Sequence, residues 1–373
     1  MILRRLRARG FRNLADQDLQ LEAGLTLLGG PNGAGKSNFL EAVAVLGNLS
    51  SFRPISPSQL VCWGREKYTL AGVVRRAGSE VELRQDARLT RYLTRSLWRG
   101  GRRLAMGEYL QLCPVAPLSG YDRALVVGAP EERRRFLDRV VFHLHPEALR
   151  LLQQYRRALR QRSELLASGG GDGAAEAFEE ILASSGARLI ELRLQALRAL
   201  GACLEAELAE LGWPAPRPQV RYHALDGLGG PDATQLGTRI RSALARMRRV
   251  DAQQRRTSVG PHRHDLAISV GGTPAREALS AGQTKLLAVA LRLAALAVLE
   301  QRLGSSPVVV FDDVDAELDA STLMRVLARL AGRAQVLISS ARPEIVVPVV
   351  KGGAVWWVES GRVKTGGAER SLP

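Results

Sequence analysis

Gly30-Pro31-Asn32-Gly33-Ala34-Gly35-Lys36-Ser37 fits the pattern G-x-x-x-x-G-K-S, and its surroundings leave the chain little freedom. The apolar run 25–28 precedes it, ending at Gly29, as a buried strand entering a loop would. After it, Phe39, Leu40, Val43 and Leu46 recur at helical spacing over 38–49. A strand that enters a glycine-rich loop and leaves it as a helix turns successive backbone N–H groups inward. The positive end of the helix dipole falls at the same point, which makes a cradle for phosphates. In that cradle Lys36 reaches the β- and γ-phosphates and Ser37 a Mg²⁺ ion. The chain has 37 Gly but only five Lys, so a chance match with this flanking pattern is improbable. The expectation is an α/β P-loop protein that holds ATP through Gly30, Pro31, Asn32, Gly33, Ala34, Gly35, Lys36 and Ser37.

A second element fits that expectation. Val308-Val309-Val310-Phe311-Asp312-Asp313 is an apolar strand that ends in two carboxylates. Taken alone it is a strand running into an acidic turn. Downstream of a P-loop, Asp312 is expected to hold Mg²⁺ through water and Asp313 to orient or activate the attacking water. Leu279-Ser280-Ala281-Gly282-Gln283 opens a strongly apolar helix over 284–299. Ser280 followed by Gln283 is a capping box. The same serine hydroxyl and free N–H groups can also bind a phosphate. Shortly before the acidic strand, this matches the signature helix of ABC-type ATPases, with Ser280, Gly282 and Gln283 as nucleotide ligands. Glu317-Leu318-Asp319 then falls where such proteins meet a second subunit.

Residues 1 to about 105 read as β-rich, with a hairpin over 3–11 and 16–21 and further strands over 68–75, 81–85 and 92–98. From Pro130, followed by Glu131 and Glu132, the pattern becomes helical. A second helix follows Pro146, and Gly169-Gly170-Gly171-Asp172-Gly173 breaks the chain. A third helix over 174–211 would be about 57 Å long. Another helix is expected near 234–249, and strands over 336–339 and 355–358. The division expected is an ATPase head over 1–129, a helical arm over 130–253 and the rest of the head over 254–373, so the fold class is an ABC-type α/β head with an inserted helical arm.

A formal charge of +16, from 53 Lys+Arg against 37 Asp+Glu, favours a polyanionic partner, nucleic acid or an anionic membrane surface. The preference for Arg also fits a coding bias, so the sign and size of the charge carry the argument. Each Arg-rich stretch, such as 99–103, 133–135, 156–162 and 246–256, reads more readily as a solvated helix face than as a DNA contact. Cys62, Cys113 and Cys203 are too few and too scattered for a disulfide framework or a zinc site. The pairs His143/His145 and His262/His264 read as surface or polar-network residues. No apolar run reaches membrane-spanning length, and 1–7 lacks a signal-peptide core, so a reduced, cytoplasmic protein is expected.

Taken together, the landmarks resemble one family closely: RecF, the bacterial ABC-type recombination and replication-repair ATPases. The resemblance rests on Phe11-Arg12-Asn13, Asn38-Phe39-Leu40-Glu41-Ala42, Ser51-Phe52-Arg53 and Arg133-Arg134-Arg135-Phe136-Leu137-Asp138. It extends to Arg256-Thr257-Ser258-Val259-Gly260-Pro261-His262-Arg263 and to Asp312-Asp313 with Glu317-Leu318-Asp319. The family usually has two Asp after its Gly-Pro-His-Arg run, where this chain has His264 and Asp265. The signature is nearer the general ABC form than the family's Gly-Gln-Gln. Pro117-Leu118-Ser119-Gly120-Tyr121-Asp122 replaces the usual Pro-Glu-Asp core, leaving the Q-loop ligand open. Ser340 stands where transporters place a switch His, as a γ-phosphate sensor.

The resemblance implies an ATP- and Mg²⁺-dependent homodimer on DNA, at gaps and single-strand/duplex junctions. Each ATP would lie between 30–37 of one subunit and Ser280, Gly282 and Gln283 of the other. The dimer would assist RecO and RecR in loading the recombinase RecA and would support the SOS response. A transporter subunit would carry the switch His, and an SMC-type tether would need hundreds of coiled-coil residues. A DNA-binding module that keeps ATP as a structural ligand stays open, because Asp313 is one methylene shorter than the usual Glu and implies slow hydrolysis.

Overall fold

A computed structural model describes residues 1–169, 172–224, 226–228, 233–348 and 353–365. Gly170 and Gly171 of the expected glycine break lie outside them. The chain opens with strands β1 (Ile2–Arg9), β2 (Gln17–Gln20) and β3 (Leu25–Gly29), then helix α1 (Lys36–Asn48). Strands β4 (Lys67–Arg76), β5 (Ser79–Leu89), β6 (Leu93–Arg99), β7 (Arg102–Arg103) and β8 (Val115–Leu118) follow. Next come helices α2 (Pro130–Leu144), α3 (Ala148–Ala167) and α4 (Asp172–Glu210), strand β9 (Pro218–His223) and helix α5 (Ala233–Gln254). Strands β10 (Asp265–Val270) and β11 (Thr273–Pro274) lead into helix α6 (Ala281–Leu303) and strand β12 (Val308–Phe311). The last part holds helices α7 (Val314–Glu317) and α8 (Ala320–Leu330) with strands β13 (Val336–Ser339), β14 (Ala354–Glu359) and β15 (Arg362–Thr365).

One compact unit comprises Met1–Arg123, Ala206–Trp213 and Ala281–Pro373. It holds two six-stranded sheets, ordered β2-β1-β4-β5-β6-β7 and β15-β14-β3-β13-β12-β8. The first is antiparallel throughout; in the second, β14, β3, β13, β12 and β8 run parallel. Strands β12 and β13 of the parallel sheet are buried along their whole length, which is why 308–311 and 336–339 are apolar without alternation. Helix α1 contributes Phe39, Leu40, Val43 and Leu46 to a core shared with Leu3, Leu6, Leu70 and Leu83 of the antiparallel sheet and Val310 and Leu337 of the parallel one. The Gln335 amide accepts from Leu3 N at 2.8 Å and donates to Leu3 O and Glu22 O. It thereby satisfies backbone groups that burial would otherwise strand.

The other unit comprises Ala124–Glu205 and Pro214–Ser280. The break expected at 129/130 falls between 123 and 124, and the insertion runs past 253 to Ser280. Residues 206–213 cluster with the first unit, where the Arg329 guanidinium grips Glu207 at 2.6 Å and Arg325 reaches Leu211 O at 2.6 Å. The insertion is not purely helical, because β9, β10 and β11 form a three-stranded antiparallel sheet. Strand β9 follows the proline-rich run 214–218, and its short, half-buried alternation gives little sequence signal. Strand β8 was missed because Pro117 sits inside it.

Arginine organises this second unit. Arg162, fully buried on α3, donates to Glu179, Asp251, Thr257 and Leu244 O. Arg193 holds Asp138 at 2.7 and 3.1 Å and Pro261 O at 2.7 Å. Both histidine pairs hold a buried member, and 262 and 264 belong to a polar network. Thr257 O can only accept, so His262 donates through Nε2 and accepts at Nδ1 from the Tyr155 hydroxyl, 2.7 Å away. Burial holds the His262 imidazole down at about 4, so it stays neutral. His264 donates to Asp226 at 2.8 Å and accepts from Tyr222. Burial favours the protonated acid at Asp226, but His264 and the Gly260 and Leu228 amides outweigh it and bring the carboxyl to about 2.

Replacing Arg162 with Leu removes the common partner of two buried carboxylates. The expected loss is about 3–5 kcal/mol in urea denaturation followed by circular dichroism. A loss near 1 kcal/mol, the scale of an exposed ion pair, would contradict a central role for this guanidinium.

Candidate nucleotide site

Parallel pairing brings the C-terminal ends of β3, β13, β12 and β8 to one edge of the sheet, with Leu28 opposite Ser339 and Phe311 opposite both Ile338 and Leu118. Ligands of open α/β sheets bind at this edge. Residues 30–37 leave β3 there. Gly30 has φ 141°, and a Cβ would lie 2.3 Å from Val358 O, so only glycine fits. Gly35, with φ 111°, is the N-cap of α1 and offers no side-chain cap, which leaves the first helical N–H groups for a ligand. The loop is held from behind by Gly361 N donating to Ala34 O at 2.7 Å and from the side by Asn13 donating to Gly33 O at 3.4 Å. Pro31, Asn32 and Gly33 are exposed and Ser37 is half-buried.

Lys36 is 7% exposed and its Nζ donates to Gly30 O at 2.7 Å and Pro31 O at 3.0 Å. Burial lowers its pKa from the usual ammonium value, against the opposing pull of Asp313, Asp315 and Asp312. The ammonium therefore lies where an anion would relieve its desolvation. These features fit a nucleoside triphosphate: a glycine loop, an uncapped helix start, and a cation within the field of three carboxylates.

Asp312 is nearly buried; its N–H donates to Leu118 O at 2.9 Å. The Ser339 hydroxyl donates to Asp312 Oδ1 at 2.7 Å and accepts from Asp313 N at 2.9 Å. One side chain thus fixes both acidic residues. Asp313 is exposed and adopts φ 57°, a left-handed conformation that Asp tolerates better than most residues. Ser340 is fully buried, and its hydroxyl accepts from Arg342 N at 2.9 Å. It also bonds the Asp315 carboxyl: burial raises that acid's pKa, and the Ser340 and Arg342 contacts bring it below the usual value. Ser339, the neighbour of the expected sensor Ser340, is the residue that touches Asp312.

Ser280 is exposed, one residue ahead of α6; Gly282 is exposed and Gln283 half-buried in its first turn. From Thr284 on, α6 is mostly buried, and Lys285 donates to Ala316 O on α7 at 3.0 Å. Asp319 caps α8 by accepting from Thr322 N and the Ser321 and Thr322 hydroxyls, which hold its pKa well below the ordinary carboxylate value.

Two further groups belong to this unit, one visible in sequence only as family landmarks, the other in the segment whose Q-loop ligand the sequence leaves open. Around the fully buried Glu41 gather Arg12 (2.6 Å), Arg53 (2.5 Å) and Ser51, while Asn38 donates to Asn13 at 2.5 Å. Three short sequence motifs thus converge beside the loop, with two guanidiniums only 15% and 18% exposed. The second group lies after β8. Asp122 is engaged by Ser119 N at 2.9 Å and by Arg292 at 2.6 Å. The Ser119 hydroxyl is buried and has no hydrogen-bond partner among the described residues.

The RecF/RecN/SMC N-terminal domain family matches residues 2–361. DNA replication and repair protein RecF of Myxococcus xanthus is 32% identical over 363 residues, 95% of each chain. RecF of Desulforudis audaxviator is 33% identical and covers 98% of this chain and 99% of its own. A solved structure of the recombination mediator protein RecF with ATP superposes with a TM-score of 0.89 at 28% identity, covering 98% of this chain and 97% of that one. The Smc head domain of Pyrococcus furiosus, at 19% identity and a TM-score of 0.54, shares the fold. With an ABC-type α/β head, an inserted largely helical unit and near full-length relatedness, the chain belongs to the RecF family.

Proposed function

We propose that this chain is an ATP-dependent DNA-binding protein of recombinational repair and replication restart that dimerises on ATP and is reset by slow, DNA-dependent hydrolysis. The observation that carries the reading is the shared sheet edge, where Lys36 faces Asp312, Asp313 and Asp315 beside an uncapped helix start. The likeness to RecF with ATP supports the nucleotide. Residues 30–37 would wrap the phosphates, with Lys36 exchanging its two loop carbonyls for phosphate oxygens. Ser37 and Asp312 would hold Mg²⁺, which supplies charge neutralisation at the phosphates. Ser339 keeps Asp312 in place, Asp313 would orient the water, and Ser340 would sense the γ-phosphate through Asp315. From the segment after β8, Ser119 would be the Q-loop ligand, because its hydroxyl is uncommitted while Asp122 is engaged.

Across the dimer, Ser280, Gly282 and Gln283 of one subunit would close on the nucleotide of the other; their exposure supports that role. The +16 charge supports DNA as the partner, single-stranded or at junctions. The family supports RecO and RecR as further partners, RecA loading and the SOS response as outcomes, and the cytoplasm as the place. No helix among the described residues is long and apolar enough to cross a membrane. A module that keeps ATP as a structural ligand is the alternative, and hydrolysis separates the two.

Lys36→Met should remain folded and lose at least about tenfold in ATP affinity by calorimetry, since charged hydrogen bonds to phosphate disappear. Unchanged affinity would remove the loop from the site. Asp313→Asn should still bind ATP and dimerise, with hydrolysis down by about a hundredfold or more; turnover at the parent rate would leave Asp313 only a structural role. A shared site also predicts complementation. Lys36→Met and Ser280→Arg should each be inactive alone, while the mixture regains ATPase through heterodimers that contain one intact site. A fully active Ser280→Arg homodimer would show that Ser280 only caps its own helix.

A further inference from the structure

At one end of the antiparallel sheet lie two large exposed aromatic side chains. Trp63 is 98% exposed and Tyr92 70%. Burying such rings is among the largest gains available to a side chain, so an indole held wholly in solvent points to a ligand. Trp63 sits in a turn closed by Arg65 N donating to Cys62 O and anchored by Cys62 N donating to Gly10 O at 2.9 Å. Tyr92 lies in the hairpin joining β5 to β6, with the Arg91 guanidinium 5.7 Å from its ring centroid. Leu89 N donates to Glu66 O at 2.7 Å, so the two loops form one surface. Beneath them the sheet end is stiff: Tyr68 packs edge-to-face on Phe11 and accepts from Arg95 at 3.2 Å.

The charges of that surface are unbalanced. Arg9, Arg65, Lys67, Arg88 and Arg91 are exposed there, against Asp16 and Glu66. Lys67 and Arg88 stand directly opposite each other in the β4–β5 register. Like charges at paired positions destabilise a sheet unless an anion lies between or over them. Asp16 is already committed to Gly10 N and Arg65, and Arg88 is 3.9 Å from Glu66. Exposed rings interleaved with cations are the recognition chemistry of single strands, whose unpaired bases offer ring faces to stack on; a duplex keeps those faces inside.

We propose that this sheet end is a single-stranded nucleic-acid stacking site. Trp63 and Tyr92 take bases on their ring faces, and Arg9, Arg65, Lys67, Arg88 and Arg91 take the phosphates. The assignment rests on the DNA-binding reading above and supplies its contact residues.

The test uses the full chain with ATP, a labelled oligothymidylate of about 16 nucleotides and a blunt duplex of equal length. Anisotropy should show Trp63→Ala and Tyr92→Ala each losing at least about fivefold in single-strand affinity, with duplex and ATP affinities unchanged. Trp63→Phe should keep most of the affinity yet abolish the drop in tryptophan emission that the oligonucleotide causes in the parent. Both rings are exposed, so the variants should fold. Parent-like single-strand binding by both alanine variants would overturn this site and leave DNA binding standing elsewhere. An equal loss on duplex would overturn stacking in favour of plain electrostatics. A loss of the ATP dimer in Trp63→Ala would make the patch a protein contact and overturn the proposal. A parent that binds neither DNA would overturn this inference and the proposed function together.

Discussion

The parallel ladder from β3 through β13 to β12 and β8 is the constraint on which the chemistry depends. Its register sets Leu28 beside Ser339 and Phe311 beside Leu118, so the loop, both acidic residues and Ser119 emerge at one height. A slip of one residue in β13 would point Ser339 to the opposite face of the sheet and free Asp312 from its hydroxyl. Continuous burial of β12 and β13 guards that register, because every alternative alignment would bring polar residues of the flanking loops into the core.

The elements legible in sequence were those whose signal is local. Residues 30–37 announce a loop because three glycines and a lysine must follow one another, and the structure gives positive φ at Gly30, Gly33 and Gly35. Helices α2 to α5 and the strands β4 to β6 were found by periodicity. Ser339 was not recognised because its importance appears only when two strands far apart in sequence are paired. Glu41 was visible as a family landmark, but its role as the meeting point of Arg12, Arg53 and Ser51 requires three segments to converge. Strand β9 and the end of the insertion at Ser280 were missed because short alternating strands beside prolines resemble loops.

The +16 charge also looks different once the arginines are placed. Arg162 and Arg193 are buried, and Arg133, Arg292 and Arg329 are spent on carboxylates within their own units. Several of these contacts use Nε together with a terminal nitrogen, a fork that lysine cannot supply. The preference for Arg over Lys is therefore partly architectural. His264 shows the same local logic, drawing its carboxylate partner, Asp226, from its own unit.

The Gln335 amide and the β3 ladder join residues near the start of the chain to residues more than three hundred positions later. During synthesis, β3 emerges long before β13 and β14, its only sheet neighbours. The loop at its end consequently has no sheet edge to stand on until residues 336–359 have left the ribosome. Most partners of the second unit, by contrast, lie within a continuous stretch from 124 to 280 interrupted only by 206–213. That unit can mature first, while β3 waits with both edges open, a state prone to wrong pairing. Placing residues 30–37 on a strand paired this late means that the proposed phosphate cradle takes shape only once β13 and β14 are in place.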